Sequence, residues 1–153
     1  MPEFNISIHI NQPPDIVHKA FINPDNSVKW MTDLEKFEVV KGKADEAGAI
    51  ARLHYRQKGS SYIMEDRLEY CEPGRIYVSR VSGDAITARV ETAINPSGNG
   101  TEISISWSGK GKLLPFKLML FFLRGRLVNQ AKAELEKFKS LVETHGARFP
   151  DNA

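Results

Sequence analysis

The sequence contains a single cysteine, Cys71, so it cannot form an internal disulfide. It has no long apolar run: the most apolar segment, residues 113–123, is shorter than the roughly 18 residues of a membrane span, and Arg124 and Arg126 follow it. The N-terminus lacks the basic stretch and apolar run of a secretory signal. We therefore expect a protein of the reducing cytoplasm that is soluble or touches a membrane only at its surface.

Neither sign of charge dominates the sequence. Its 21 Lys and Arg against 19 Asp and Glu give a net charge of +2, which is too balanced to indicate a nucleic-acid partner. The four histidines are scattered, with no HExxH or CxxC spacing, and the glycines of residues 109–112 match no phosphate-binding loop. We expect no metal and no cofactor.

The chain has 153 residues, of which 41% are hydrophobic, so it can bury one sizeable core but is too short for two ordinary domains. Residues 4–10 alternate strictly between apolar and polar, the pattern of a half-buried strand. Two short helices follow, separated at Asn23-Pro24, and then six strands joined by short turns. A long helix begins near Pro115 and runs to about Thr144.

This order predicts an α+β fold, in which a long C-terminal helix lies across a curved, seven-stranded antiparallel sheet with two short helices after strand 1. The domain is predicted over residues 1–147, with a C-terminal tail at 148–153. A bent sheet that grips a helix leaves space for an apolar ligand between them.

The segment FNISIHINQPPDIVHKAFINPDNSVKWM resembles the opening of the START-like (SRPBCC) helix-grip superfamily, which includes polyketide cyclase/dehydrase-like and lipid-transfer proteins. Further marks of the resemblance are the Glu72-Pro73-Gly74 turn, Gly100-Thr101 at the start of the last strand, and the terminal LEKFKSLVE. The resemblance spans the chain and implies the helix-grip fold with its cavity. Since no catalytic motif of one branch is present, it assigns no catalytic residue.

Strand alternation predicts which side chains enter the cavity. Tyr62, Met64, Asp66 and Tyr70 share one face of their strand with Leu68. Asp66 would then be a carboxylate among apolar side chains, where desolvation raises the pKa and suits an acid/base group or an anchor for a ligand hydroxyl. The alternative is that Asp66 pairs with an arginine or lies at a wet cavity mouth.

Other elements add to this predicted site. Tyr55 and Trp107 point inward from their strands, and Trp30 forms either a lid over the cavity or a plug in the core. The long helix contributes its apolar stripe. Such an aromatic set favours a planar or isoprenoid ligand. The predicted ligand-binding residues are Trp30, Tyr55, Tyr62, Met64, Asp66, Tyr70, Trp107, Leu120, Leu123 and Leu127.

The start of the long helix, LLPFKLMLFFLRGR, is apolar on nearly every side, more than one buried stripe requires. We expect the core and the cavity mouth to cover it, ahead of a homodimer interface and, last, a membrane surface into which Phe121 and Phe122 insert. Gly125 within this helix would permit a kink.

Three functions follow from these features. The first is binding or transport of a small hydrophobic molecule, such as a lipid, an isoprenoid or an aromatic polyketide-like compound. The second is a polyketide cyclase/dehydrase-like enzyme, in which Asp66, helped by Tyr55 or Tyr62, moves protons on a carbonyl compound. The third is a protein- or membrane-interaction module acting through residues 113–123.

Overall fold

A computed structural model describes residues 2–153 of the chain. The strands are β1 (Glu3–Ile10), β2 (Leu34–Lys41), β3 (Ile50–Gln57), β4 (Ser60–Glu72), β5 (Ile76–Ser82), β6 (Ile86–Ser97) and β7 (Gly100–Gly111). The helices are α1 (Pro14–Ile22), α2 (Pro24–Trp30) and α3 (Leu114–His145).

The seven strands form one antiparallel sheet in the order β1-β7-β6-β5-β4-β3-β2. Strands β2 to β6 each pair with the next strand in sequence, as a meander does, and β1 closes the far edge against β7. Helices α1 and α2 connect the strands at the two edges of the sheet. The predicted α+β helix-grip fold is confirmed.

Proline and asparagine start the two short helices. Pro14 opens α1 and Pro24 opens α2, where the missing N–H of proline would in any case have no partner inside the helix. Asn23 lies between the helices, and its Oδ1 accepts a hydrogen bond from the Asp25 backbone N at 3.0 Å. These local signals explain why the chain turns sharply at this point.

The second half of α3 holds the main core against the sheet. Phe138 and Val142 are fully buried in one cluster with Ile10, Ile94 and Ile103, which belong to β1, β6 and β7. The α3 helix therefore crosses the sheet as predicted.

The C-terminal residues join the same core. Asn26, in α2, is buried; its Nδ2 donates to the carbonyl oxygens of Ala20 at 3.1 Å and Ala147 at 2.9 Å, and its Oδ1 accepts from Phe149 N at 3.0 Å. The Phe149 ring packs edge-on against Phe138. The tail predicted at residues 148–153 is thus attached to the domain at its second residue.

The first part of α3 differs from the expectation. Six apolar residues of the segment 113–123 are between 42% and 79% exposed, so the prediction that the core and the cavity mouth cover this segment is wrong for them. They are Leu113, Leu114, Leu118, Met119, Phe121 and Phe122. Only one side of a helix can face the sheet, and here that side takes Leu120, which is buried. No helix of residues 2–153 combines the length and apolarity that crossing a bilayer requires.

Candidate functional site

A cavity of about 410 Å³ lies between the sheet and the helices. All seven strands contribute lining side chains, and so do α1, α2 and the middle of α3. Most of these side chains are aliphatic or aromatic, with a few polar groups among them. This volume and composition lie within the usual range of small-molecule sites.

Strand β4 supplies much of the lining by alternation. Tyr62, Met64, Asp66 and Leu68 line the cavity. Tyr70, predicted to follow them, does not: it is 50% exposed, and the pairing of β4 with β5 shifts register between Leu68 and Tyr70. A β-bulge of this kind interrupts the two-residue period and turns the next side chain away. The prediction that Tyr70 faces the cavity is therefore wrong.

Seven of the ten predicted site residues line the cavity; they are Trp30, Tyr55, Tyr62, Met64, Asp66, Trp107 and Leu127. Their role in binding a ligand remains a prediction. Leu120 and Leu123 lie outside the lining, the first buried and the second half-buried. The lining residues of α3 begin at Leu127, about two helical turns after Leu120. The earlier turns of α3 contribute no side chain to the cavity.

Two stacked aromatic pairs face the cavity from different parts of the sheet. Tyr55 and Tyr62 are cross-strand partners whose ring centroids are 5.1 Å apart at an interplanar angle of 12°. Phe4 and Trp107 stack in the same way at 5.3 Å and 15°. A Cβ on Gly109 would lie 2.0 Å from the Trp107 ring, so glycine is required there for the indole to take this place.

Trp30 is a core residue that also borders the cavity. It is 9% exposed, and its ring lies 5.1 Å from that of Phe138 and 6.2 Å from that of Phe21. Of the two predicted roles, these contacts favour the plug over the lid. The Trp30 Nε1 is buried and has no hydrogen-bond partner within residues 2–153.

Asp66 is the carboxylate that the sequence places in this cavity. It lies opposite Ala51 on β3 and Val81 on β5, and neither neighbour offers a polar side chain. No Lys, Arg or His of the described chain forms an ion pair with it, so the arginine pair considered above does not form. Desolvation raises the pKa of Asp66 to about 6, against a smaller lowering by the Ser79 side chain.

A second carboxylate, Glu134 on α3, lines the same cavity and was missed by the sequence analysis. Its Oε2 accepts a hydrogen bond from the Thr32 backbone N at 2.6 Å. Burial raises the pKa of Glu134, although hydrogen bonds from Thr32 and Gln130 oppose this. Its spacing was a usable signal, since Leu127, Ala131 and Glu134 stand at i, i+4 and i+7 on one helix face.

Tyr55 connects the two carboxylates electrostatically. Burial raises the pKa of the Tyr55 hydroxyl well above its usual range, and the negative charges of Glu134 and Asp66 raise it further. The phenol therefore stays protonated and is available as a hydrogen-bond donor. Asp66, Tyr55 and Glu134 thus bring two carboxyl groups and a phenol into a largely apolar cavity.

The exposed members of the lining mark the mouth of the cavity. They are Thr32, Asp33, Gln57, Tyr62 and Gln130. Strand register places them at the end of the sheet where β2 and β4 begin and β3 ends. Tyr55 and Glu134 lie near this mouth, since Tyr55 pairs directly with Tyr62 and Glu134 accepts a hydrogen bond from Thr32. Asp66 lies deeper, four residues beyond Tyr62 along β4 and opposite Ala51.

Metal chemistry has no evident centre in the described residues. Within 2–153, no group of three or more His, Cys, Asp or Glu side chains is placed to hold a metal ion. What the cavity offers is apolar contact, stacked rings, hydrogen-bond donors and two carboxylates with raised pKa values.

Residues 1–143 match the model of a family described as polyketide cyclase / dehydrase and lipid transport. Comparison with curated proteins gives no match.

Similar solved structures cover nearly the whole chain at low sequence identity. A protein from Chromobacterium violaceum is 18% identical, with a TM-score of 0.74 over 93% of this chain and 97% of its own. The Zhui aromatase/cyclase from a Streptomyces species is 14% identical, with a TM-score of 0.73 over 90% and 91%. A START superfamily protein from Mycobacterium smegmatis is 14% identical, with a TM-score of 0.71 over 88% and 94%. At these identities the likeness establishes the shared fold.

Proposed function

We propose that this protein binds or carries a small hydrophobic molecule between its sheet and α3. The chain belongs to the polyketide cyclase/dehydrase and lipid transport family, which supports the proposal. The observation that carries the proposal is the cavity of about 410 Å³ with its largely apolar lining. Protein interiors are normally close-packed, so an empty space of this size lowers the stability of the fold. A ligand that fills the space restores the missing contacts.

The arrangement of polar groups narrows the ligand class. Apolar side chains surround most of the space, while Tyr55 and Glu134 lie near the mouth and Asp66 lies deeper, opposite Ala51. An apolar body with one hydroxyl or carbonyl group would satisfy both regions. The stacked pairs, Tyr55 with Tyr62 and Phe4 with Trp107, favour a body that contains a flat ring or an isoprenoid chain.

Native mass spectrometry of the protein after mild purification tests this proposal. A screen with fatty acids, phospholipids, quinones and aromatic polyketide-like compounds follows, read by thermal shift and calorimetry. We expect a bound species or a ligand that raises the melting temperature, with a negative heat-capacity change on binding. If neither the purified protein nor the screen yields a bound molecule, the proposal fails.

Two variants of α3 make the test specific to the cavity. Ala131→Phe places a ring in the lining, whereas Ala133→Phe places it on the exposed side of the same helix. We expect Ala131→Phe to abolish binding and Ala133→Phe to preserve it, with both proteins folded by circular dichroism. Equal binding by the two variants would place the ligand outside the cavity.

The environment of Asp66 favours a second candidate function, proton transfer on a bound carbonyl compound. A carboxyl group with a pKa of about 6 can both accept and return a proton near neutral pH. In this function Asp66 takes a proton from the carbon next to the carbonyl, and the Tyr55 hydroxyl donates a hydrogen bond to the developing oxyanion. In this function the protein is a polyketide cyclase/dehydrase-like enzyme.

Kinetics of one carboxyl variant separate this enzyme from a carrier. We expect Asp66→Asn to lower turnover by about 10²- to 10⁴-fold and to leave ligand affinity nearly unchanged. Glu134→Gln is the matched control, because it neutralises the other cavity carboxylate. Parallel loss of affinity and turnover in Asp66→Asn would instead give Asp66 a binding role alone.

A further inference from the structure

A cluster of large apolar side chains is exposed around the start of α3. Its residues, which we call the apolar patch, are between 42% and 79% exposed. The rings of Phe121 and Phe122 meet edge-on with centroids 5.6 Å apart, so the two most exposed members form one surface. Exposed apolar clusters of this kind generally mark an interaction site. The patch consists of Leu113, Leu114, Leu118, Met119, Phe121 and Phe122.

Every charged residue of the segment that carries the patch is basic, and two acidic residues of other segments, Glu3 and Asp84, lie close to Arg124 and Lys112. Residues 103–133 contain six basic side chains and no acidic one, a net charge of +6, while the rest of the chain holds 15 basic and 19 acidic residues, a net charge of −4. None of the six forms an ion pair within residues 2–153, and all are exposed. The basic residues are Lys110, Lys112, Lys117, Arg124, Arg126 and Lys132.

This combination selects among the occupants of the patch. A second copy of the chain would bring a like-charged surface against this one, which repels. A neutral apolar partner would leave the cations without counter-charges. Anionic lipid headgroups above an acyl layer satisfy both features at once, because aromatic side chains enter the interface while Lys and Arg remain at headgroup level.

We propose that the apolar patch docks this protein on the surface of an anionic lipid bilayer. Phe121 and Phe122 enter the boundary between headgroups and acyl chains, and Lys117 and Arg126 contact the headgroups.

The patch also lies at the end of the sheet that carries the cavity mouth. The backbone of α3 at Phe116 and Lys117 packs against Gly111, the last residue of β7. Gly111 in turn pairs with Ile86 of β6, which lines the cavity. The mouth residues Gln57 and Tyr62 lie at this same end, where β3 ends and β4 begins. Docking therefore brings the cavity mouth toward the bilayer, although the docking itself does not depend on what the cavity holds.

Co-flotation of the full chain with lipid vesicles tests the proposal. Vesicles of phosphatidylcholine with about 30 mol % phosphatidylglycerol are compared with pure phosphatidylcholine at low and high salt. We expect the protein to float with the anionic vesicles at low salt, and binding to fall on raising the salt or removing the anionic lipid. If the same amount of protein floats with both vesicle types, or if no protein floats with either, the proposal is overturned.

Matched variants assign the binding to the patch. Phe121→Ser with Phe122→Ser should reduce vesicle binding by about tenfold or more, whereas Val40→Ser with Ile63→Ser, at exposed positions elsewhere, should not. Lys117→Glu with Arg126→Glu should abolish binding, and Lys41→Glu with Lys43→Glu should reduce it only slightly. Both charge-reversal variants change exposed residues only, so we expect them to fold. These residues are Lys41, Lys43, Lys117 and Arg126.

Two results would contradict the assignment. Retained vesicle binding in both patch variants would place the contact on another surface. A concentration-dependent dimer that the Phe121→Ser, Phe122→Ser variant disrupts, without vesicle binding by the unmodified protein, would make the patch an interface between copies. Either outcome leaves the ligand screen of the cavity unaffected, so the two proposals fail separately.

Discussion

The Asp66 carboxyl makes the stability of the fold depend on pH. Its pKa is about 6 in the folded protein against an ordinary value of 3.8, so the folded state holds the proton more tightly than the unfolded chain. The free energy of unfolding is therefore largest below the unfolded pKa and decreases as pH rises from about 4 to about 6. Asp66→Asn stays neutral at every pH and removes this loss.

We expect Asp66→Asn to be more stable than the unmodified protein by up to about 3 kcal/mol at about pH 8, and equally stable below about pH 4. Urea unfolding at the two pH values measures both differences. Asp84→Asn, at an exposed turn, serves as the control and should change neither. A stabilisation by Asp66→Asn that is the same at both pH values would contradict the desolvation argument.

Prediction from sequence worked where a side chain's direction follows from its immediate neighbours. The alternation around Asp66 is local, and the lining confirms its direction. Tyr70, four residues later, depends on the register with β5, and a bulge reversed it. Glu134 shares a helix face with Leu127 and Ala131, but a carboxylate is not expected on an apolar stripe, and Glu134 was therefore not among the predicted site residues.

At the scale of elements, α3 combines two regions of different surroundings. Its later turns are buried in the core through Leu135 and Phe138, and its first turns expose the apolar patch. The sequence predicts the helix over both, because the apolar stripe continues throughout. It does not predict where the sheet underneath ends, since this depends on the twist and length of seven strands together. For this reason the prediction that the core and the cavity mouth cover residues 113–123 was wrong for all six residues of the apolar patch.

Gly125 lies between these two regions of α3, at an exposed position where an added Cβ would meet no atom within 4 Å. We expect Gly125→Ala to raise the free energy of unfolding by about 1 kcal/mol, because alanine restricts the unfolded chain and favours the helix. Ala133→Gly, exposed on the same helix, should lower it by a similar amount. Chemical denaturation measures both. A destabilising Gly125→Ala would show that the helix needs a bend at this residue.

At the scale of the whole molecule, the C-terminal residues fasten α2 to the end of α3. Ending the chain after Ala147 removes Phe149 from the core and leaves Asn26 Oδ1 buried without its donor. We expect a loss of about 3 to 5 kcal/mol of stability from the lost ring and the unpaired oxygen. Ending the chain after Pro150 keeps both contacts and should cost little. Similar melting temperatures for the two shortened proteins would contradict this role of Phe149.

The pairing of β1 with β7 also affects the order in which the strands can pair during synthesis. Glu3 and Ser108 are 105 residues apart in the sequence but direct partners in the sheet. As the chain leaves the ribosome, the meander from β2 onward can assemble hairpin by hairpin, whereas β1, made first, has no partner until β7 emerges. Throughout this period the apolar face of β1, with Phe4, Ile6 and Ile10, is open to chaperones and to neighbouring nascent chains. Of the seven strands of this sheet, the one synthesised first is therefore the last to be protected.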